Sequence, residues 1–140
     1  MMETIFDKFS MKNQVALVTG GAGLLGKQFS RTLAQAGAGV VVADLNVETA
    51  NQVAADLRSE GLDAMGIGVN VTLPESVQAM VNEILKVYGR LDVLISSAAM
   101  DPKFDASHLS TQGANAFETY PVDAWRQALD VNLTGMFLCA

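Results

Sequence analysis

The feature that most constrains the fold is a regular alternation of short apolar runs with longer segments of helical periodicity. The apolar runs cover residues 15–18, 40–43, 64–69 and 91–95, and the segments between them predict helices over 24–36, 47–60 and 72–88. Strands that are apolar throughout are buried on both faces, which is typical of a parallel sheet with helices on each side. Right-handed crossovers then predict an α/β fold with a doubly wound sheet.

Residues that start and stop helices support these boundaries. The three predicted helices end at Gly37, Gly61 and Gly89. Asn46 is a favourable N-cap for the second helix, and Thr72 with Glu75 has the spacing of a capping box for the third. A final helix is predicted from residue 121 to the end. The polar residues 101–119 before it, with the single histidine His108, predict a long solvated loop.

Composition excludes several classes of function. Half of the 140 residues are apolar, 17% are charged and the net charge is -6, so the chain is expected to fold and to bind neither nucleic acid nor membrane. The single cysteine, Cys139, excludes an internal disulfide framework, and no metal site is predicted. Residues 1–13 do not have the pattern of a secretory signal. We therefore expect a cytoplasmic protein with an N-terminal extension, 1–13, and one domain, 14–140.

A glycine-rich turn follows the first predicted strand and opens the first long helix. Its residues are Thr19, Gly20, Gly21, Ala22, Gly23, Leu24, Leu25 and Gly26. Glycines let the backbone approach a diphosphate closely, and a helix N-terminus offers unpaired N–H groups and a positive dipole. The strand–turn–helix context favours a dinucleotide site. The alternative is a tight turn that binds no ligand.

Asp44 strengthens the dinucleotide interpretation. It lies at the carboxyl end of the second predicted strand, where an acidic side chain accepts hydrogen bonds from ribose hydroxyls and repels a 2′-phosphate. No Arg or Lys follows it closely, so NAD is favoured over NADP. The alternative is that Asp44 only caps the next helix.

Taken together, these motifs resemble the short-chain dehydrogenase/reductase family. The resemblance covers residues 11–140 and depends on the glycine turn, Asp44, the stretch 70–72, the strand and tail 91–99 and the stretch 130–135, which contains Asn132 and Gly135. It implies an NAD(P)-dependent oxidoreductase with a Rossmann fold, whose first four strands lie in the order 3-2-1-4. Such an enzyme transfers a hydride between a nicotinamide and a small alcohol or carbonyl substrate.

The resemblance also implies site residues. Cofactor contacts are expected at Thr19, Gly20, Gly23, Leu24, Leu25, Gly26, Asp44, Leu45, Asn70, Val71, Ser97, Ala98 and Ala99. Asp44 would select the ribose, Asn70 and Val71 would flank the adenine, and Ala98 and Ala99 would lie near the nicotinamide ribose. Asn132 would be a catalytic residue whose backbone carbonyl anchors a water in a proton relay.

The chain departs from the family pattern in three respects. Leu24 stands at the usual middle glycine, which Gly23 replaces, and Ser96-Ser97-Ala98-Ala99 stands where Asn-Asn-Ala-Gly is usual. The family's Tyr-x-x-x-Lys pair is absent, because Asp92 follows Tyr88 and Ala124 follows Tyr120 at that spacing.

The missing pair predicts the N-terminal portion of a dehydrogenase that is inactive by itself. Its fourth strand would be an unpaired edge and its last helix would expose an apolar face. At full length it would be a homo-oligomer. The alternatives are a natural short protein that pairs this edge with a partner, and a non-catalytic dinucleotide-binding or assembly module.

A weaker resemblance concerns the substrate. The run from Ala98 to Lys103 resembles family members of nucleotide-sugar or polysaccharide pathways. It implies a sugar or nucleotide sugar as substrate, with the following loop bordering it.

Overall fold

The computed structural model describes residues 4–100 and 120–140. In chain order the elements are α1 (Ile5–Lys8), β1 (Val15–Thr19), α2 (Leu24–Gln35), β2 (Gly39–Asp44), α3 (Val47–Ser59), β3 (Ala64–Gly68), α4 (Pro74–Tyr88), β4 (Val93–Ser96), α5 (Val122–Leu129), a π-helical turn (Asp130–Thr134) and α6 (Gly135–Cys139). The loop expected over 101–119, with His108, lies outside the described residues. The domain boundary after residue 13 stays a prediction.

The four strands form one parallel sheet in the order β3-β2-β1-β4, which confirms the predicted fold class. Leu17 of β1 pairs with Val41 of β2 and with Leu94 of β4. Every residue of β1 is buried, as the uninterrupted apolar run indicates. Within the described part of the chain β4 pairs only with β1, so it lies at an edge of the sheet, as expected.

Alternate strand residues point into two separate cores. Ala16 and Val42 pack on one side of the sheet with Ala34 of α2 and Ala54 of α3. Leu17 and Val41 pack on the other side with buried residues of α4, and Val131, Leu138 and Cys139 of the last helical segment lie against that second core. The doubly wound architecture therefore follows from the strand period of two.

Most of the predicted helix ends are confirmed. Asn46 is the N-cap of α3, and its side-chain oxygen accepts from the Thr49 N–H at 3.0 Å. Gly89 ends α4 with a φ of 73°, a conformation that glycine adopts at little cost.

The predicted capping box of Thr72 and Glu75 is wrong. The N-cap of α4 is Leu73, and Pro74 takes the first helical position, where its fixed φ is favourable. The Thr72 hydroxyl instead donates to the side-chain oxygen of Asn70 at 2.8 Å. This short-range turn competes with capping, as polar side chains near helix ends often do.

The last helix is interrupted by a π turn that the sequence pattern did not predict. The N–H of Gly135 donates to the carbonyl of Asp130, five residues earlier. π turns are rare in proteins, but those that do occur are often found at functional sites. As expected, this segment exposes apolar side chains, among them Trp125, Leu133 and Phe137. No helix within residues 4–100 and 120–140 is long and apolar enough to span a bilayer.

Candidate functional site

The sequence-predicted site residues converge on the carboxyl edge of the sheet. β1, β2 and β4 are parallel, so the glycine turn, Asp44 and the tail after Ser96 all leave the sheet at this edge. The chain runs from β1 to β2 on one side, whereas β4 lies on the other side of β1. The crevice between β1 and β4 is the topological switch point where ligands bind in such folds.

Gly20 and Gly26 build the turn by close backbone approach. A Cβ on Gly20 would lie 2.8 Å from the Cα of Ala98, and Gly20 has a φ of 64°. A Cβ on Gly26 would overlap the carbonyl oxygen of Gly20 and would lie 2.7 Å from the Cα of Gly21. Both glycines are therefore required to fold the turn, whether or not a ligand is bound.

Gly23 differs from these two glycines. It is the N-cap of α2 with a φ of -73°, and a Cβ there would approach only the Gly20 carbonyl oxygen, at 3.1 Å. No side chain caps α2, so its first-turn N–H groups have no partner within the helix. Leu24, which follows, is 86% exposed, and Leu25 is exposed as well. Gly23 itself is exposed and has no side chain, so the backbone where α2 begins is accessible.

Asp44 joins the glycine turn to the turn after β2. One carboxylate oxygen accepts from the Ala22 N–H and the other from the Asn46 N–H, each at 3.1 Å. Asn46, not Asp44, caps α3, so the capping alternative for Asp44 is wrong. Asp44 and the exposed Leu45 line a shallow depression with residues 46–48. A carboxylate has about four acceptor positions, so Asp44 keeps capacity for a ligand hydroxyl.

The tail of β4 is tied to β1 by Thr19. The Thr19 side chain is buried, and its hydroxyl oxygen accepts from the Ala98 N–H at 3.3 Å. The carbonyl oxygen of Ser97 lies near Gly20, where a Cβ would be 2.8 Å away. Ala99 is exposed next to this contact. The side chain of Thr19 therefore links the strands, and its predicted cofactor contact stays a prediction.

Asn70 and Val71 lie in the turn between β3 and α4. The side-chain oxygen of Asn70 accepts from both the N–H and the hydroxyl of Thr72, and the Asn70 N–H donates to Ser76 Oγ at 2.9 Å. Val71 is only 8% exposed, so its side chain faces the second core. The predicted adenine contacts of these two residues stay predictions.

Asn132 lies in the π turn and is paired with the tail of β4. Its amide oxygen accepts from the Met100 N–H at 2.7 Å, and its amide nitrogen donates to the Met100 carbonyl at 2.9 Å. This double hydrogen bond holds the last helical segment against the carboxyl edge. The sequence motif indicated Asn132 but gave no signal for Met100 as its partner.

The strongest perturbations of ionisable groups lie away from this edge. Burial and the neighbouring Asp63 carboxylate raise the pKa of Tyr88 to about 12, and the Tyr88 hydroxyl donates to Asp63 at 3.0 Å. Hydrogen bonds from Arg90 and from the Val15 N–H lower the pKa of Asp92. These groups lie where strands begin, so they stabilise the opposite edge of the sheet.

The comparisons with known proteins agree with this geometry. The family model described as short chain dehydrogenase matches residues 14–140. The chain belongs to the short-chain dehydrogenase family. This family consists of oxidoreductases that use nicotinamide cofactors.

Similar proteins are matched over only part of their length. An uncharacterised oxidoreductase of Bacillus subtilis is 39% identical over 128 residues, which are 91% of this chain and 46% of that protein. The cis-4-hydroxycyclohexanecarboxylate dehydrogenase of Sinomonas cyclohexanicum is 36% identical, over 90% of this chain and 46% of its own. The crystal structure of a short-chain dehydrogenase/reductase from Mycobacterium marinum has a TM-score of 0.85 at 26% identity, covering 97% of this chain and 51% of that one. The chain thus spans about half the length of these matched proteins.

Proposed function

We propose that this chain binds NAD across the carboxyl edge of its sheet and forms the cofactor-binding part of an alcohol or carbonyl oxidoreductase. One observation carries the proposal: the uncapped N-terminus of α2, with Gly23 open to the crevice, lies beside a carboxylate that is fixed on the same turn. Asp44 accepts from Ala22, the residue that precedes Gly23. An anion site and a ribose-binding carboxylate are thereby adjacent.

The residues fit the diphosphate of a dinucleotide. The N–H groups at the start of α2 and the positive end of the helix dipole favour an anion, and Gly23 places no side chain in its path. Gly20 and Gly26 would hold the turn, while the exposed Leu24 and Leu25 would contact the cofactor. When bound, the nicotinamide would supply the hydride donor or acceptor.

The preference for NAD over NADP is proposed from Asp44. Its two oxygens are held in place by the Ala22 and Asn46 N–H groups, so the carboxylate cannot turn away from a ribose bound in the depression at residues 44–48. A 2′-phosphate at that position would meet this negative charge. Leu45, exposed in the same depression, would contact the adenine together with the turn at Asn70 and Val71.

Asn132 is the proposed catalytic residue within the chain. Both polar atoms of its side chain are engaged by Met100, so its backbone carbonyl is the group proposed to hold a water of the proton relay. The π turn at residues 130–134 changes the pairing of carbonyl groups there. Ala98 and Ala99 would lie beside the nicotinamide ribose.

The substrate is proposed only as a class. A small alcohol or carbonyl compound fits the family, and the relative from Sinomonas cyclohexanicum is named for a ring alcohol. A sugar or nucleotide sugar stays a prediction from the run ending at Lys103, part of which lies outside the described residues. Assembly into a homo-oligomer and a cytoplasmic location are likewise proposals.

Calorimetric titration of the chain with NAD and with NADP tests the proposal. We expect NAD to bind more tightly, and Asp44→Asn to reduce the ratio of the two affinities by about tenfold, equivalent to about 1.4 kcal/mol. Asp56→Asn is the matched control, because it removes the same charge from an exposed site on α3. Tighter binding of NADP by the unmodified chain would refute the assignment of Asp44.

Turnover is tested separately. We expect no NAD-dependent oxidation of alcohols by these 140 residues alone, since neither tyrosine is followed by lysine at the family spacing. Sustained formation of NADH by the purified chain would contradict this expectation.

A further inference from the structure

Gly135 makes a close contact that the proposed function does not use. It is buried, and a Cβ built on it would lie 2.7 Å from Cγ2 and 3.1 Å from Cβ of Val71. Carbon atoms in contact are separated by about 3.5–4.0 Å. Only glycine therefore lets α6 lie this close to the turn between β3 and α4.

Val71 has little freedom to move away. The residues on either side of it are pinned, because the Asn70 N–H donates to Ser76 Oγ and Thr72 donates twice to the Asn70 side chain. The Val71 side chain is β-branched and packed in the second core, which leaves it few rotamers. A side chain at position 135 would therefore displace the helix rather than the turn.

The displaced helix carries Asn132. Asn132 and Gly135 lie within or next to the same π turn, whose hydrogen bond joins the Gly135 N–H to the Asp130 carbonyl. Asn132 is held at its other side by Met100, at the tail of β4. The segment is thus fixed at two points, on the β4 tail and on Val71, and a shift at one point changes the geometry at the other.

We propose that Gly135 is a positioning residue: by seating α6 directly on Val71, it sets where Asn132 lies relative to the carboxyl edge of the sheet. The inference deepens the proposed function and rests on it for the role of Asn132. In this proposal the glycine of the Asn132-x-x-Gly135 motif has a specific role: it fixes the position of the π turn and α6 against the turn between β3 and α4.

The test is the NMR spectrum of the 15N-labelled chain. The side-chain amide signals of Asn132 are assigned by their loss in Asn132→Ala. We expect Gly135→Ala to shift these signals, and the backbone amide signal of Met100, by several linewidths. In the double variant Gly135→Ala/Val71→Ala the overlap with Val71 Cγ2 is removed and only the 3.1 Å approach to Cβ remains. Both sets of signals are therefore expected to move most of the way back to their original positions.

Two controls separate this effect from ordinary helix substitution. Thr134→Ala changes an exposed neighbour in the same turn, and Val71→Ala alone reports any effect of the enlarged space. If the double variant is unfolded, or its signals are shifted as far as those of Gly135→Ala, the contact with Val71 is not the reason for the glycine, and the inference is overturned. These signals need no cofactor, so failure of the NAD titration would refute the proposed function without altering this result.

Discussion

Gly23 and Gly26 allow the folding and the binding roles of the glycine turn to be separated by the same change, glycine to alanine. At position 26 the new methyl group would overlap backbone atoms of Gly20 and Gly21, which cannot rotate away. At position 23 it would approach only one carbonyl oxygen, at 3.1 Å. The structure therefore predicts a mainly structural effect of this substitution at position 26 and a mainly binding effect at position 23.

The magnitudes follow from known costs. Overpacking against fixed atoms costs about 1–3 kcal/mol, and the gain from replacing a helical glycine by alanine is about 1 kcal/mol. Because the overlap at Gly26 is with backbone, we expect the upper end of that cost and a net loss of about 2 kcal/mol in the free energy of unfolding. Gly23→Ala should cost about 0.5–1 kcal/mol, the difference between glycine and alanine at an N-cap.

Urea unfolding and NAD titration of both variants provide the assay. Gly23→Ala should lose only about 0.5–1 kcal/mol in the free energy of unfolding. It should nevertheless bind NAD at least about tenfold more weakly, equivalent to about 1.4 kcal/mol, since its methyl group lies where the diphosphate would approach. Unchanged NAD affinity in Gly23→Ala would refute the placement of the diphosphate. Parental stability in Gly26→Ala would refute the close approach to Gly20.

Three further predictions concern stability. Ser30 is fully buried in α2, and its hydroxyl has no hydrogen-bond partner in the described part of the chain. Ser30→Ala should therefore raise the free energy of unfolding, measured in urea, by about 1 kcal/mol. A lower free energy of unfolding in this variant would contradict the reasoning. Asn46→Ala should lower the same free energy by about 1 kcal/mol, whereas Thr72→Ala should cost less because Thr72 does not cap α4. Folding raises the pKa of Tyr88 from 10.0 to about 12, so the stability that the neutral phenol contributes should be complete below pH 10 and lost as pH rises towards 12. Tyr88→Phe should remove this decline in the free energy of unfolding, and the phenolate absorbance of the folded chain should show that Tyr88 titrates late.

The helix ends that were predicted correctly from the sequence depend on interactions between residues close together in the chain. Asn46 caps the helix that begins one residue later, and Gly89 ends α4 in the conformation that glycine favours. Apolar runs and helical periods likewise report on short segments, such as β1 with five residues and α4 with 15. Given right-handed crossovers, these local signals were sufficient to predict a doubly wound parallel sheet, whereas the strand order was predicted from the family resemblance.

The error at Thr72 shows the limit of such signals. Its spacing to Glu75 satisfies the capping-box pattern, but two other local preferences, Pro74 at the first helical position and the turn with Asn70, favour a start one residue later. Competing local signals of similar strength cannot be ranked from the pattern alone.

Sequence alone determined the order of the elements, the glycine turn and the acidic residue after β2, because each depends on the conformational preferences of neighbouring residues. Only the tertiary structure showed that Asn132 pairs with Met100, that Gly135 lies against Val71 and that Asp44 holds the Ala22 N–H. These partners are far apart in the chain, and no local preference encodes a distance between them. They meet because two hydrophobic cores, one on each face of a parallel sheet, bring separate turns to one edge.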